Sequence, residues 1–367
     1  MKSTFRFPGP TPLPPAVLAA MQREMIPHRG PALKAMFRSI VERTKVVHQT
    51  DGDVIVLPGS GSAGWEIAVT NLFSPGDQVI CLNGGDFAGR FGRVAQAFGL
   101  SVHTIEVAWG AAVTPEQLTP ALERHPETKA VLFTHNETST GVTNPLPEIA
   151  AVARAHGALV VVDGVSSVAG LPLHMDEWGV DFIFSGSQKA LMCPPGLVIA
   201  AIGPRAWDAY QQSTFPRFFW DLGSARKSAA EGMTPTTPPL TMLYALDAAL
   251  DMIVGEGIDR VYARHRELGD LTRAGLQSLG LQLFADLPYA SNTVTSFLPP
   301  PLSTAQDVIR EMRDRHGIDV QGGQGAYADA MIRVGHMGWV DREDIEITVE
   351  ALGSVVETLR TAAEASA

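Results

Sequence analysis

Between about residue 50 and residue 205, apolar runs of strand length alternate with helical patterns, and few folds accommodate that alternation. The strand candidates are DVIVL (53–57), QVICL (78–82), SVHTIEV (101–107), KAVLFTH (129–135), ALVVVDG (158–164), DFIFSG (181–186) and GLVIAAIG (196–203). GWEIAVTNLF (64–73) and LPEIAAVARAHG (146–157) are among the helical stretches between them. Repeated strand–helix units predict an α/β architecture, a mainly parallel seven-stranded sheet with helices on both faces. The runs 181–186 and 196–203 are too close for a helical crossover, so one of them is expected to run antiparallel or to join through an irregular loop.

After residue 205 the pattern changes. Two long amphipathic stretches (238–257 and 258–280) precede a strand (292–299), a helix (304–317), a strand (331–338) and a last helix from Arg342 to about Ala362. A chain of 367 residues exceeds one ordinary core. The expected division is an N-terminal segment, 1–20, packing on the active site, a large domain, 21–256, and a smaller α+β domain, 257–367.

A net charge of −11 argues against nucleic acid or an anionic membrane as partner, since both demand a basic surface. The two cysteines, Cys81 and Cys193, provide neither a disulfide framework nor a cysteine-based metal site, and no metal is expected. The start, MKSTFRFPGPTPLPP, lacks the apolar core of a signal peptide, and no apolar run reaches membrane-spanning length. A cytoplasmic location is the expectation.

In an open parallel sheet the ligand sits beyond the carboxyl ends of the strands, so residues just after each strand are the informative ones. After 53–57 comes PGSGSAG (58–64), leading into a helix whose free N–H groups and positive dipole end suit a phosphate. A Walker loop would end in Gly-Lys-Ser/Thr, which is missing. Asp163 is the only charge at the end of an apolar strand, where a carboxylate must be paired, hydrogen-bonded or protonated. NETSTG (136–141) follows another strand, and Lys189 follows DFIFSG and the small polar run 185–188. Singly, Lys189 reads as a surface lysine, Asp163 as a turn cap and the glycines as a tight turn. Jointly they place a phosphate cradle, a buried acid and an amine on one rim.

One ligand uses all three. Pyridoxal phosphate has a phosphate, an aldehyde that condenses with a lysine amine, and a pyridine nitrogen that an adjacent carboxylate keeps protonated. Lys189 would form the Schiff base, and Phe87, in NGGDFAGRFG, is placed to stack on the ring.

The motifs FPGPTPLPP, GSGSAGWEIAVTNLFSPGD, THNETSTGV, VDGVSSVAGLPLHMDEWGVDFIFSGSQKALMCPPGL, TPPLTMLYALDAAL and IRVGHMG run nearly end to end. In them the chain resembles the class V, fold-type I aminotransferases of the alanine–glyoxylate and serine–glyoxylate (serine–pyruvate) group. The resemblance implies that Lys189 carries pyridoxal 5′-phosphate as an aldimine and that Asp163 meets its pyridine nitrogen. It implies a stacking role for Phe87, with Thr138 near the ring and Val165 on its other face. Gly61, Ser62 and Gln188 would hold the phosphate, completed by Thr237, which opens the helix 237–255, from a partner subunit of a homodimer. Arg333 would bind the substrate carboxylate by a bidentate pair, with Gly9 lining that pocket.

The chain departs from some relatives in having Phe87 for Trp, and Thr234 for a bulkier, phosphate-contacting residue. The implied activity moves an amino group from serine, alanine or glycine to glyoxylate or pyruvate. Specialised donors such as ureidoglycine, 2-aminoethylphosphonate or pyridoxamine remain open. So do a same-fold lyase or desulfurase and a nucleotide-binding protein without this cofactor. A desulfurase needs a mobile cysteine in its smaller domain, and no cysteine follows Cys193.

Overall fold

The computed structural model describes residues 4–366. Seven strands form the main sheet: β1 (Asp53–Gly59), β2 (Gln78–Asn83), β3 (Ser101–Glu106), β4 (Ala130–Thr134), β5 (Leu159–Asp163), β6 (Phe182–Gly186) and β7 (Gly196–Ile202). Their spatial order is β1-β7-β6-β5-β4-β2-β3. β2 pairs in parallel with β3 and β4, and β5 with β4 and β6. Only β7 is reversed, running antiparallel to both β1 and β6. The short link between β6 and β7 leaves no room for a crossover helix, so the chain turns back at the same rim.

Burial on both faces explains why these strands read as near-continuous apolar runs. Val54 and Val56 of β1, with Val160 and Val162 of β5, face one core; Ile55, Leu57, Leu159 and Val161 face the other. The long helices Leu240–Glu256 and Pro31–His48 cover the first core, and Gly61–Leu72 the second.

A smaller three-stranded sheet joins Val294–Phe297, Ile332–Gly335 and Gln321–Gly322. It packs against the helices Ala305–His316 and Arg342–Ser366. The first of these shows why its sequence folds there: Thr304 and Asp307 form a reciprocal capping box, and Gly317 ends the helix in the left-handed region. Among the described residues no helix is long and apolar enough to cross a membrane.

Two boundaries differ from expectation in ways that matter for the site. The helix after β1 starts at Gly61 rather than residue 64, so the glycine run is itself its first turn. The helix expected from Thr237 starts at Leu240, because Thr237 precedes Pro238 and Pro239, and a residue before proline is pushed out of the α region.

The N-terminal segment bridges the two sheets. Gly335 N–H donates to the Arg6 carbonyl (2.7 Å), and Thr11 N–H donates to the Gln188 carbonyl (3.1 Å) beside Lys189. Arg6 also forms a buried ion pair with Asp344 of the last helix.

Gly64 sets how closely its helix approaches the sheet: a Cβ there would lie 2.0 Å from Cδ2 of Phe184 in β6. Gly64→Ala is expected to destabilise the fold by about 1–3 kcal/mol through overpacking, with Phe184→Leu recovering part of the loss. Denaturant midpoints of the two single variants and the double variant check this; an unchanged midpoint for Gly64→Ala contradicts it.

Candidate active site

The carboxyl ends of β1, β6, β5, β4 and β2 deliver one wall each to a cavity of about 130 Å³. Gly61, Ser62 and Trp65 enter from the helix after β1, and Gln188 and Lys189 from the loop after β6. Asp163, Val165 and Ser166 come from the end of β5, Asn136 and Thr138 from beyond β4, and Phe87 from the helix Asp86–Ala97 after β2.

Lys189 is buried. Its Nζ donates to the Pro8 carbonyl, and the next residue, Gly9, lies against the same side chain. A Cβ on Gly9 would stand 2.7 Å from Nζ, and its φ of 115° is one that only glycine adopts readily. Burial and the Arg333 charge pull the Lys189 amine down to about 8, against Asp163 and Glu137, which oppose the shift.

Asp163 is also buried. Val165 N–H donates to Oδ1 (2.9 Å) and Trp65 Nε1–H to Oδ2 (2.8 Å). Desolvation still dominates and pushes its carboxyl up to about 7.

Glu137, which nothing in the sequence of its cluster distinguishes, organises this wall. Its carboxylate accepts from the N–H of Ala88 (3.0 Å) in the first turn of the Phe87 helix, and from Ser139 N–H and Oγ–H (3.1 and 2.6 Å). It therefore fixes Phe87 by holding that helix end. Thr138 Oγ donates to Ser166 Oγ (2.6 Å), which donates to the Asn136 carbonyl (3.0 Å), locking the β4 and β5 loops together.

Among the described residues Arg333 is the largest fully buried side chain, and no carboxylate forms an ion pair with it, although Glu137 and Asp86 act on it from further off. Its Nε donates to the Gly322 carbonyl (2.9 Å) and Nη1 to that of Thr138 (3.2 Å). Burial lowers it to about 10. A buried, unpaired guanidinium is costly, and a carboxylate ligand would relieve it.

The structure thus brings together Gly9, Gly61, Ser62, Phe87, Thr138, Asp163, Val165, Gln188 and Lys189, with Arg333 held behind Thr138. Thr237, expected at a partner subunit's site rather than this one, is exposed in the coil before its helix. Thr234 is buried, its hydroxyl donating to the Thr236 carbonyl (2.7 Å). Trp65 joins the site beyond the residues the sequence points to; its one signal is that it lies one helical turn after Gly61 and carries a ring N–H donor.

The family model for class V aminotransferases matches residues 5–347. The chain belongs to the class V aminotransferases. It is 38% identical over 361 residues, 98% of this chain and 94% of the other, to a protein of Synechococcus sp. named as the small subunit of a soluble hydrogenase. It is 36% identical to an L-aspartate–glyoxylate aminotransferase of Paracoccus denitrificans, over 90% of this chain and 85% of that one. The crystal structure of an alanine–glyoxylate aminotransferase from Nostoc sp. superposes with a TM-score of 0.92 at 32% identity, covering 97% and 96% of the two chains. The fold is accordingly the fold-type I aminotransferase fold.

Membership of the class V aminotransferases implies pyridoxal phosphate, and the cavity fits it on three counts. The N–H groups of Gly61 and Ser62 open a helix whose N-cap, Ser60, makes no side-chain cap bond. A Cβ on Gly61 would lie 2.7 Å from Val165, so the cradle admits backbone only. Among the described residues the buried Oε1 of Gln188 has no hydrogen-bond partner, leaving a polar atom for a ligand to satisfy.

The raised Asp163 carboxyl has a consequence for cofactor-free protein. From its ordinary value of 3.8 up to about 7 the folded chain holds a proton that the unfolded chain has released. Stability therefore falls as pH rises through that window, by on the order of a few kcal/mol. Asp163→Asn should flatten this fall, as measured by denaturation of the cofactor-free proteins at pH about 5 and about 7.5. Parallel slopes for the variant and wild type would contradict a buried Asp163 that holds its proton.

Proposed function

We propose that this class V aminotransferase transfers the amino group of a small amino acid (serine, alanine or glycine) to a small 2-oxo acid, glyoxylate or pyruvate. The observation that carries the reading is a buried amine and a buried carboxylate facing one cavity above an uncapped helix N-terminus. Bound pyridoxal phosphate supplies an electron sink for the charge that develops at the substrate Cα when its proton leaves.

The chain's residues supply the rest. Lys189 would hold the cofactor's aldehyde carbon, and once released its amine, which burial makes less basic, would take the proton from the substrate Cα and deliver it to that carbon. Asp163, oriented by Trp65 and Val165, would pair with the pyridine nitrogen; a cation there favours the carboxylate form that burial disfavours. Gly61, Ser62 and Gln188 would take the phosphate, and Phe87 and Val165 the two faces of the ring. Arg333 would receive the substrate carboxylate. In the proposed cytoplasmic homodimer the exposed Thr237 reaches the partner's phosphate.

Glyoxylate appears in the names of two of the relatives above, whereas their donors differ, aspartate in one and alanine in the other. The donor must therefore be argued from this chain. Arg217 pairs with Asp221 (3.0 Å) and Arg226 with Asp53 (2.9 Å), and neither lines the cavity. A second carboxylate would find Arg333 already engaged, which favours monocarboxylate donors.

The cofactor assignment is tested by borohydride reduction of the protein with pyridoxal phosphate, followed by peptide mass spectrometry. The label should fall on the peptide carrying Lys189, and Lys189→Ala should lose both label and yellow absorbance; a label on another lysine overturns the assignment. The donor assignment is tested by steady-state kinetics with glyoxylate. Serine or alanine should exceed aspartate and glutamate by about a hundredfold in kcat/KM, the cost of burying an unpaired carboxylate. A preference for aspartate would overturn it.

A further inference from the structure

Arg333 owes one of its two side-chain hydrogen bonds to Gly322, and Gly322 sits in a strand of only two residues. That strand pairs with Ile332 and Arg333 through Gln321 and Gly322 alone, a ladder too short to hold itself rigidly. What fixes the chain immediately after it therefore bears on where the guanidinium points.

The connection back to Ile332 is closed at its base by Gly323 N–H donating to the Met331 carbonyl (2.8 Å). Near its far end the Asp329 carbonyl accepts from Ala305 N–H (3.3 Å) and its carboxylate from Gln306 (3.4 Å). Its middle has a different anchor. The Tyr327 ring stacks on Trp109 (centroids 5.2 Å apart, planes at 27°) and meets Phe284 edge-on (4.9 Å, 70°). Gly325 lies against the same indole, since a Cβ there would stand 3.2 Å from Trp109 Cη2.

The two anchoring rings are themselves held together. Trp109 lies beyond β3 of the main sheet, and Phe284 lies before the first strand of the small one. Asp286 N–H donates to the Gly110 carbonyl (2.8 Å), and Phe284 N–H to the Ser296 carbonyl (2.9 Å). Ser296 is in turn the residue paired with Arg333 on its other flank. The aromatic contact therefore ties the loop that follows Gly322 to a platform that spans both sheets.

We propose that Trp109, Tyr327 and Phe284 form an aromatic clasp that positions Arg333 for the substrate carboxylate, by fixing the loop 323–331 and hence the Gly322 carbonyl. The proposal rests on the reading of Arg333 as the carboxylate receptor. These are positioning residues: they act through Gly322 and contribute no group to the chemistry. No hydrogen bond from the Tyr327 hydroxyl enters the argument, so the ring alone is required.

The test uses full-length protein reconstituted with pyridoxal phosphate, with two readouts. One is steady-state kinetics with alanine and glyoxylate. The other is calorimetric binding of glycolate, a small hydroxy acid that cannot accept an amino group. Tyr327→Ala should raise KM for donor and acceptor and weaken glycolate binding, each by roughly three- to tenfold, the worth of one or two aromatic contacts. Its kcat should stay within about twofold and the cofactor absorbance should be unchanged. Tyr327→Phe should behave as wild type, and Trp109→Ala should reproduce Tyr327→Ala from the other side of the stack. Arg333→Ala should lose glycolate binding.

If Arg333→Ala loses binding while Tyr327→Ala and Trp109→Ala both bind as wild type, the clasp is overturned and the receptor stands. A loss in only one of the two ring variants also overturns the clasp. If Arg333→Ala itself binds glycolate normally, the receptor reading fails, and the clasp with it.

Discussion

The structure is organised around charges that have been taken out of water. Lys189, Asp163, Glu137 and Arg333 are all buried at the carboxyl rim of the main sheet. Desolvation is the largest influence on each: it lowers Lys189 and Arg333 and raises Asp163 and Glu137. Each shift favours the neutral form, so each group weakens the fold relative to the same group in solvent. Their mutual attraction offsets only part of this, since Glu137 supports both cations and Asp163 supports Lys189. A chain that keeps such an arrangement spends stability on a poised site.

The sheet makes that poise possible through one reversed strand. If β7 ran parallel to β6, the chain would need a crossover helix and would leave the rim directly after Gly186. Because β7 is antiparallel, residues 187–195 stay at the rim, and Lys189 hangs over the cavity between two paired strands. The same reversal sets β1 two places from β6 with its carboxyl end on the same side, so the helix at Gly61 opens beside Gln188. A Cβ on Gly186 would lie 3.3 Å from Gly61 N, which measures how closely the glycine turn and the lysine loop are packed.

Much of this was legible in the sequence, and the reasons differ by residue. Strand ends are visible because both faces of these strands are buried, so Asp163 and Lys189 stand out against continuous apolar runs. Trp65 and Glu137 are not legible, because the hydrogen bonds by which they organise the site reach residues 98 and 49–50 positions away. The Pro8 carbonyl lies still further from its lysine in sequence, and a main-chain acceptor carries no residue signature at all. The start of the helix Leu240–Glu256 shows the converse: the helical pattern extends back to Thr237, but the two prolines after that residue delay the helix to Leu240.

The N-terminal segment shows how distant parts of the chain come to share one site. It adds its backbone to the small sheet at Arg6 and Gly335, then crosses to the lysine loop at Thr11. Between those two anchors lie Pro8 and Gly9, the residues against the Lys189 amine. The segment is therefore held at both ends by hydrogen bonds to the elements that carry Arg333 and Lys189. Any shift of the small sheet against the main one pulls on a strap that touches the amine itself. In the same way Arg333 is pinned between Thr138 of the main-sheet rim and Gly322 of the small sheet. The Arg333 guanidinium and the Lys189 amine thus share a mechanical frame, in which the relative position of the two sheets sets the distance between the two cations.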